Sequence, residues 1–263
     1  MAKTPWIDQD ELMTAWPRFP NTADKYARGV VGVVTGSQRY PGAGVLSVLG
    51  ALQAGAGFVR YCGPAKAEAA VLVRAPSVTF GMGQVDAWVV GCGWDTDDMD
   101  PHLADWHQIL ASGAPVVADA GALSLAMDGL PTGSLMTPHA GELARLLGVE
   151  RAAVEADPVD HAHQAARQFR TTILLKGHSQ FVVTPAGKTT TLFSGSPWLA
   201  QAGSGDVLAG IAGTLLAQLL DPRLAGLLAA GVQARTSLNV PGPYPPDRMA
   251  EFIAEEIGDS VTY

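Results

Sequence analysis

Gly203, Ser204, Gly205 and Asp206 stand directly before a long apolar run, and their order joins a flexible turn to a carboxylate. Glycines on both sides of Ser204 let the backbone turn its N–H groups outward. A helix starting at Asp206 adds roughly half a positive charge at the same place. Together these predict an oxyanion or phosphate site, with an acid beside it that can act as a base. The helix, residues 206–219, is apolar all round and should be buried, so its N-terminus opens toward a pocket from inside the protein. An Asp in the first turn is also the ordinary cap or dipole partner of a helix, and this tetrapeptide alone leaves that reading open. It is not a Walker A loop, because no Gly-Lys-Ser/Thr follows.

Other residues carry weaker signals. His139 follows Pro138 ahead of a helix, where a histidine is more often a cap than a catalytic group. Lys176 ends a strand, as either a solvated lysine or a phosphate binder. Asp119 closes the strand PVVAD; ligands of α/β sheets gather at carboxyl ends of strands, so a pocket role and a loop cap are both open. His102, His107, His161, His163 and His178 show no shared metal spacing and read as surface residues. Of the scattered tryptophans, Trp94 and Trp198 are the candidate pocket walls. Cys62 and Cys92 have no metal-ligand spacing; one disulfide is possible, and a reduced cytoplasmic setting is the plainer reading.

The elements that must position these groups alternate. Strands are predicted over residues 30–35, 58–62, 87–90, 115–119, 135–136 and 172–175, with a hairpin over 181–184 and 189–192. Helices are predicted over 42–55, 65–72, 101–111, 140–147, 158–169, 206–219, 223–238 and 248–257. This alternation implies βαβ units and a mainly parallel sheet, and the hairpin implies an antiparallel edge. No repeat or linker stands out, so residues 1–263 read as one domain.

Composition sets outer bounds. A charge of 17 − 25 = −8 disfavours a general nucleic-acid partner, although backbone N–H groups can still bind a phosphate locally. Apolar residues make up 48% of the chain, which supports a normal core. The longest apolar stretch, residues 207–220, falls short of the ~20 residues that cross a bilayer, so no membrane association is expected. The first residues carry Asp8, Asp10 and Glu11 and do not read as a signal peptide.

Four blocks extend the signal: GVVTGSQRYPGAGVLSVLGALQAGAG from Gly32, VVGCGWDTDD from Val89, TPHAGELARL from Thr137, and LLKGHSQF from Leu174 together with SGSPWLAQAGSGDVLAG from Ser194. With these the chain resembles the ADP- or ATP-dependent (S)-NAD(P)H-hydrate dehydratases of the ribokinase-like superfamily, across roughly residues 28–240. The resemblance implies a three-layer α/β/α fold with a mainly parallel central sheet and an antiparallel edge. It implies phosphorylation of the hydrated nicotinamide's hydroxyl by ADP or ATP with Mg2+, followed by elimination of phosphate. Asp206 matches the general base, and Gly203, Ser204 and Gly205 the anion hole. Ala43, Gly93 and His139 match the hydrate site; Lys176, Gly177, His178, Ser179, Gln180 and Gly205 match the nucleotide site; Glu142 matches the acid near magnesium. A separate epimerase as functional partner, no epimerase domain in this chain, a homo-oligomer (tetramer) and a cytoplasmic location are further implications. The alternative is a small-alcohol kinase, of the thiazole or pyrimidine-alcohol type, which shares the anion hole and Asp. YPGA and TPHAGE argue against it. The family's usual Gly-Pro-Gly-Leu-Gly reads Gly91-Cys92-Gly93-Trp94-Asp95 here, so Trp94 and Asp95 are expected to reshape the pocket rim.

Overall fold

The computed structural model describes residues 8–94, 100–193, 195–219 and 221–260. Short strands rich in β-branched residues alternate with helices, as the sequence pattern predicts. The strands are β1 (Val30–Val34), β2 (Phe58–Tyr61), β3 (Thr79–Phe80), β4 (Ala87–Val90), β5 (Val116–Ala118), β6 (Leu135–Met136), β7 (Thr172–Leu175), β8 (Gln180–Val183) and β9 (Thr189–Leu192). The helices are α1 (Gln9–Thr14), α2 (Gly42–Gln53), α3 (Ala65–Arg74), α4 (Asp100–Ser112), α5 (Ala122–Leu125), α6 (Ala140–Leu147), α7 (Arg151–Ala156), α8 (Pro158–Phe169), α9 (Ser204–Leu219), α10 (Pro222–Asn239) and α11 (Pro246–Ser260).

One sheet runs in the order β3-β2-β1-β4-β5-β6-β7-β8-β9. All pairs from β3 to β7 are parallel, and β7–β8 and β8–β9 are antiparallel. Strands such as β1 and β4 are buried at every residue, because helices cover both faces. Val31, Val33 and Val89 point to one face, packed by α1, α2, α3, α9, α10 and α11. Val34, Trp88 and Val90 point to the other, packed by α4 to α8. The fold is therefore the expected three-layer α/β/α arrangement, with a mainly parallel central sheet and an antiparallel edge. Among the described residues no helix is long and apolar enough to cross a membrane.

The helices α2 and α9 cross unusually closely. A Cβ on Gly210 would sit 2.0 Å from the Ser47 carbonyl oxygen, and one on Gly50 would sit 2.2 Å from that of Val207. Backbone has replaced side chain at the crossing, and this fixes how far α9 reaches toward the sheet's carboxyl edge. Gly210→Ala should destabilise by about 1–3 kcal/mol despite alanine's better helix propensity. Gly258→Ala on α11, where a Cβ would meet nothing within 4 Å, should instead stabilise by roughly 0.5–1 kcal/mol. Thermal unfolding of both checks this; a Gly210→Ala midpoint at or above the parent's would refute the close crossing.

Candidate active site

The strand order reverses direction between β1 and β4, and the loops leaving their carboxyl ends diverge there. Open α/β sheets place ligands in such a crevice. Ala43 opens α2 on one side of it, and Gly93 lies on the loop after β4. A Cβ on Gly93 would fall 2.4 Å from that of Ala43, and its φ of +65° also favours glycine. Two of the three residues expected at the hydrate site, Ala43 and Gly93, are thus brought into contact beside Tyr40, whereas His139 lies on the wall of a separate cleft.

Next to Gly93, the Cys92 thiol is buried and donates to Asp119 Oδ2 at 3.5 Å. Asp119 follows β5, and its Oδ1 accepts from Thr137 Oγ1 at 2.8 Å and from Lys176 Nζ at 2.5 Å. Lys176 follows β7, held in register by its N–H on the Pro138 carbonyl. Burial pulls down the pKa of the Lys176 ammonium, but Asp119 and Glu142 outweigh that and hold it above the ordinary lysine value. Breaking such a buried pair from one side costs roughly 3–5 kcal/mol.

The turn before α9 closes the site. Gly203 adopts φ +98°, which glycine tolerates and other residues rarely do. The helix begins at Ser204, two residues earlier than expected, so Asp206 lies inside the first turn. The N–H groups of Ser204, Asp206 and Val207 donate to the carbonyls of Gln201 and Gly203. Among the described residues the N–H of Gly205 meets no acceptor, and a Cβ there would lie 3.4 Å from Lys176 Nζ. The turn therefore presents an open amide beside an ammonium, at the positive end of a buried helix. Gln233 on α10 braces it by donating to the Ser204 carbonyl at 2.8 Å.

Asp206 is the unusual acid. Burial pushes its carboxyl up to about 7, the neighbouring Asp119 adds to the rise, and Lys176 opposes it. The Cys92 thiol is likewise held well above its usual range by burial, then by Asp119 and Asp206. Cys92, Asp119 and Asp206 offer ligand atoms within 4.8 Å of one another, a cluster that sequence spacing does not reveal. Both cysteines are free.

A cleft of about 560 Å3 opens on the other side of Lys176, lined by Lys176, Gly177, His178 and Ser179 together with His139, Arg151 and Glu155. That volume suits a small-molecule ligand. Gln180 is buried where β8 begins. His139 belongs to this cleft wall and also caps α6: its Nδ1 accepts from the Glu142 N–H, and Glu142 Oε2 accepts from the His139 N–H. Arg151 and Glu155 come from α7, whose six residues are too few to show a helical period in the sequence.

Several sequence expectations need correction. Trp94 is no pocket wall: it is 4% exposed, in the core with Trp88 and Trp106. Trp198, by contrast, does line a small pocket as expected, with Ser204 and Tyr244, and is half exposed. His161 and His163 are half-buried rather than on the surface, meeting the Asp157 carbonyl and Thr189 Oγ1 at 2.8 and 2.7 Å. Asp95, Ser194 and the His102 side chain lie outside the described residues.

The model of the NAD(P)H-hydrate dehydratase family matches residues 31–257, a span that holds every group named above. The chain belongs to the NAD(P)H-hydrate dehydratase family. It is 34% identical to the ADP-dependent (S)-NAD(P)H-hydrate dehydratase of Xanthomonas campestris over 233 residues, covering 80% of each chain. It is 40% identical to the bifunctional NAD(P)H-hydrate repair enzyme Nnr of Mycobacterium tuberculosis over 222 residues, 80% of this chain and 46% of the relative. The chain thus spans about half the length of such bifunctional relatives. Its fold matches the Bacillus subtilis ADP/ATP-dependent NAD(P)H-hydrate dehydratase, co-crystallised with ATP/Mg2+, at a TM-score of 0.90 and 22% identity, over 99% of this chain and 100% of that one.

Proposed function

We propose that this dehydratase-family chain converts the S-form of hydrated NADH or NADPH back to the reduced dinucleotide, using ADP or ATP and releasing phosphate with AMP or ADP. The observation that carries this is an acid near neutrality, Asp206, set beside an open helix-end amide and a buried ammonium. Family membership supplies the substrate class. The dinucleotide enters over Ala43 and Gly93, and the adenine nucleotide occupies the cleft along Lys176–Ser179, its terminal phosphoryl group reaching Gly205.

Asp206 accepts the proton of the ring hydroxyl as its oxygen bonds to phosphorus; such a base typically contributes ~10²–10⁴-fold. The Gly205 N–H and the Lys176 ammonium face the charge on the transferred group; one well-placed donor is worth ~10²–10³-fold. The ring nitrogen's electron pair then expels phosphate to leave an iminium ion, and loss of a proton from the adjacent ring carbon C5 restores the reduced nicotinamide. Magnesium takes oxygen ligands, and Glu142, with Oε1 outside the capping hydrogen bond, is the residue that would hold it. When bound it neutralises phosphate charge.

The deciding assay is recovery of reduced-nicotinamide absorbance from the S-hydrate with ADP, with ATP and with no nucleotide. Recovery with neither nucleotide rejects the reading. With heavy oxygen in the ring hydroxyl, one heavy atom should appear in each phosphate released. Light phosphate at full turnover would mean direct loss of water instead. The small-alcohol kinase alternative is not favoured, since the family match runs through the whole site.

Three companions of the reading follow from the same resemblance. Residues 1–263 act as one dehydratase domain, so the R-hydrate should persist until a separate epimerase is added. A homo-oligomer, a tetramer, is expected by sedimentation. A cytoplasmic setting accords with two free, buried cysteines.

A further inference from the structure

We infer that Asp119 is a positioning residue of this site: its buried carboxylate holds the Lys176 ammonium over the Gly205 backbone and faces Asp206 across the same pocket. The sequence leaves Asp119 between a pocket role and a loop cap. A cap accepts backbone N–H groups of its own turn. Among the described residues, the three hydrogen-bond partners of this carboxylate are side chains, from the ends of three other strands. Thr137 follows β6, Lys176 follows β7, and Cys92 follows β4. The carboxylate is thus a hub joining four strand ends rather than the cap of one turn.

Its placement is strongly constrained. The Asp119 N–H donates to the Val90 carbonyl at 3.0 Å, continuing the β4–β5 ladder by one residue. Ala120 then bends the chain away at φ +45°, a left-handed conformation uncommon for a residue with a Cβ. The side chain is left 3% exposed. A buried carboxylate needs a compensating cation, and the Lys176 ammonium fills that place at 2.5 Å. A lysine has four rotatable bonds in its stem. Among the described residues, Asp119 Oδ1 is the hydrogen-bond partner that holds its nitrogen beside Gly205.

The titratable and charged groups facing Asp206 are Asp119, Lys176 and the Cys92 thiol, with Glu142 beyond Lys176. Replacing Asp119 by a neutral residue removes a like charge from Asp206 and frees Lys176 to turn toward it. Both changes favour the ionised form of Asp206. The inference rests on the phosphoryl-transfer reading, so its test has an arm that needs no substrate.

In Asp119→Asn, the acid limb of the turnover profile should move down by about one pH unit or more, and turnover at pH above the limb should fall at least roughly tenfold. A purely structural role would lower turnover at every pH and leave the midpoint in place. The substrate-free arm compares thermal midpoints of the Asp206 and Asp206→Asn proteins against pH, in parent and Asp119→Asn backgrounds. The pH at which the two curves separate should drop in the Asp119→Asn background. Because a lysine left without its partner could unfold the protein, Asp119→Asn/Lys176→Met is made as well. At pH above the acid limb its turnover should lie within about twofold of Lys176→Met alone, because there Asp119 acts through Lys176. An unmoved separation point, or a double variant at least tenfold slower than Lys176→Met, overturns the inference. Absence of turnover in the parent protein would instead reject the functional reading, with the thermal arm still deciding the role of Asp119.

Discussion

Asp206→Asn should reduce turnover by ~10²–10⁴-fold while nucleotide affinity stays within a few-fold. Asparagine keeps the volume and the helix position but has no basic carboxylate to take the hydroxyl proton. A variant that retains more than about a tenth of the parent rate would return Asp206 to a cap or dipole role. The same residue predicts the pH dependence. With its carboxyl pushed up to about 7, Asp206 is protonated and inactive as a base below that pH, so turnover should rise with pH through about 7. Stability should run the other way. A raised carboxyl pKa means the folded state binds the proton more tightly than the unfolded chain. Its stabilising contribution is full below the ordinary value of 3.8 and is lost as pH rises through about 7. Asp206→Asn lacks that loss. Its thermal midpoint relative to the parent should therefore increase from pH 5 to pH 8.5. A constant difference would mean that burial and Asp119 do not perturb this group.

Gly205→Val should weaken nucleotide binding and turnover together, by ~10²-fold or more, with little change in folding. Gly205 has helical backbone, and its Cβ position is an ordinary 3.4 Å from Lys176 Nζ, so strain does not explain the effect. The branched side chain would occupy the space in front of the Gly205 N–H, where a phosphate must come. Gly205→Ala should fall between valine and parent. Calorimetric titration with ADP reads the affinity, and thermal unfolding reads the fold. An unchanged ADP affinity in the valine variant would remove the anion-hole assignment; a collapsed midpoint would mean that Gly205 is needed for folding instead.

Much of this protein is legible along the chain. β-Branched runs bounded by glycine, proline or acidic residues mark most strands, and β4, β6, β7 and β9 have the expected limits. Those runs are buried on both faces, and the alternation with helices leaves a parallel sheet as the economical arrangement. The hairpin at β8 and β9 reads from the turn that joins them. The all-apolar run after Asp206 announces a buried helix, and α9 is buried along most of its length. Signals of this kind are local: they record what each segment must do with its own surface.

The charge environment of the site is not local. Lys176 and Asp119 lie 57 positions apart, and neither carries a neighbouring pattern that names the other. They meet because β5, β6 and β7 are consecutive in the sheet and end at the same edge. The rise of the Asp206 pKa to about 7 comes first from burial under elements distant in the chain and then from Asp119. The short α7 gives too little periodicity to be seen, yet it supplies Arg151 and Glu155 to the cleft. His139 is a cap by geometry and part of the cleft by position, and the sequence could offer these only as rivals. The amino-acid order determined which segments are buried and where a helix end opens; tertiary packing decided which charges share that opening, because electrostatic energy depends on distance and desolvation summed over every strand end that converges there.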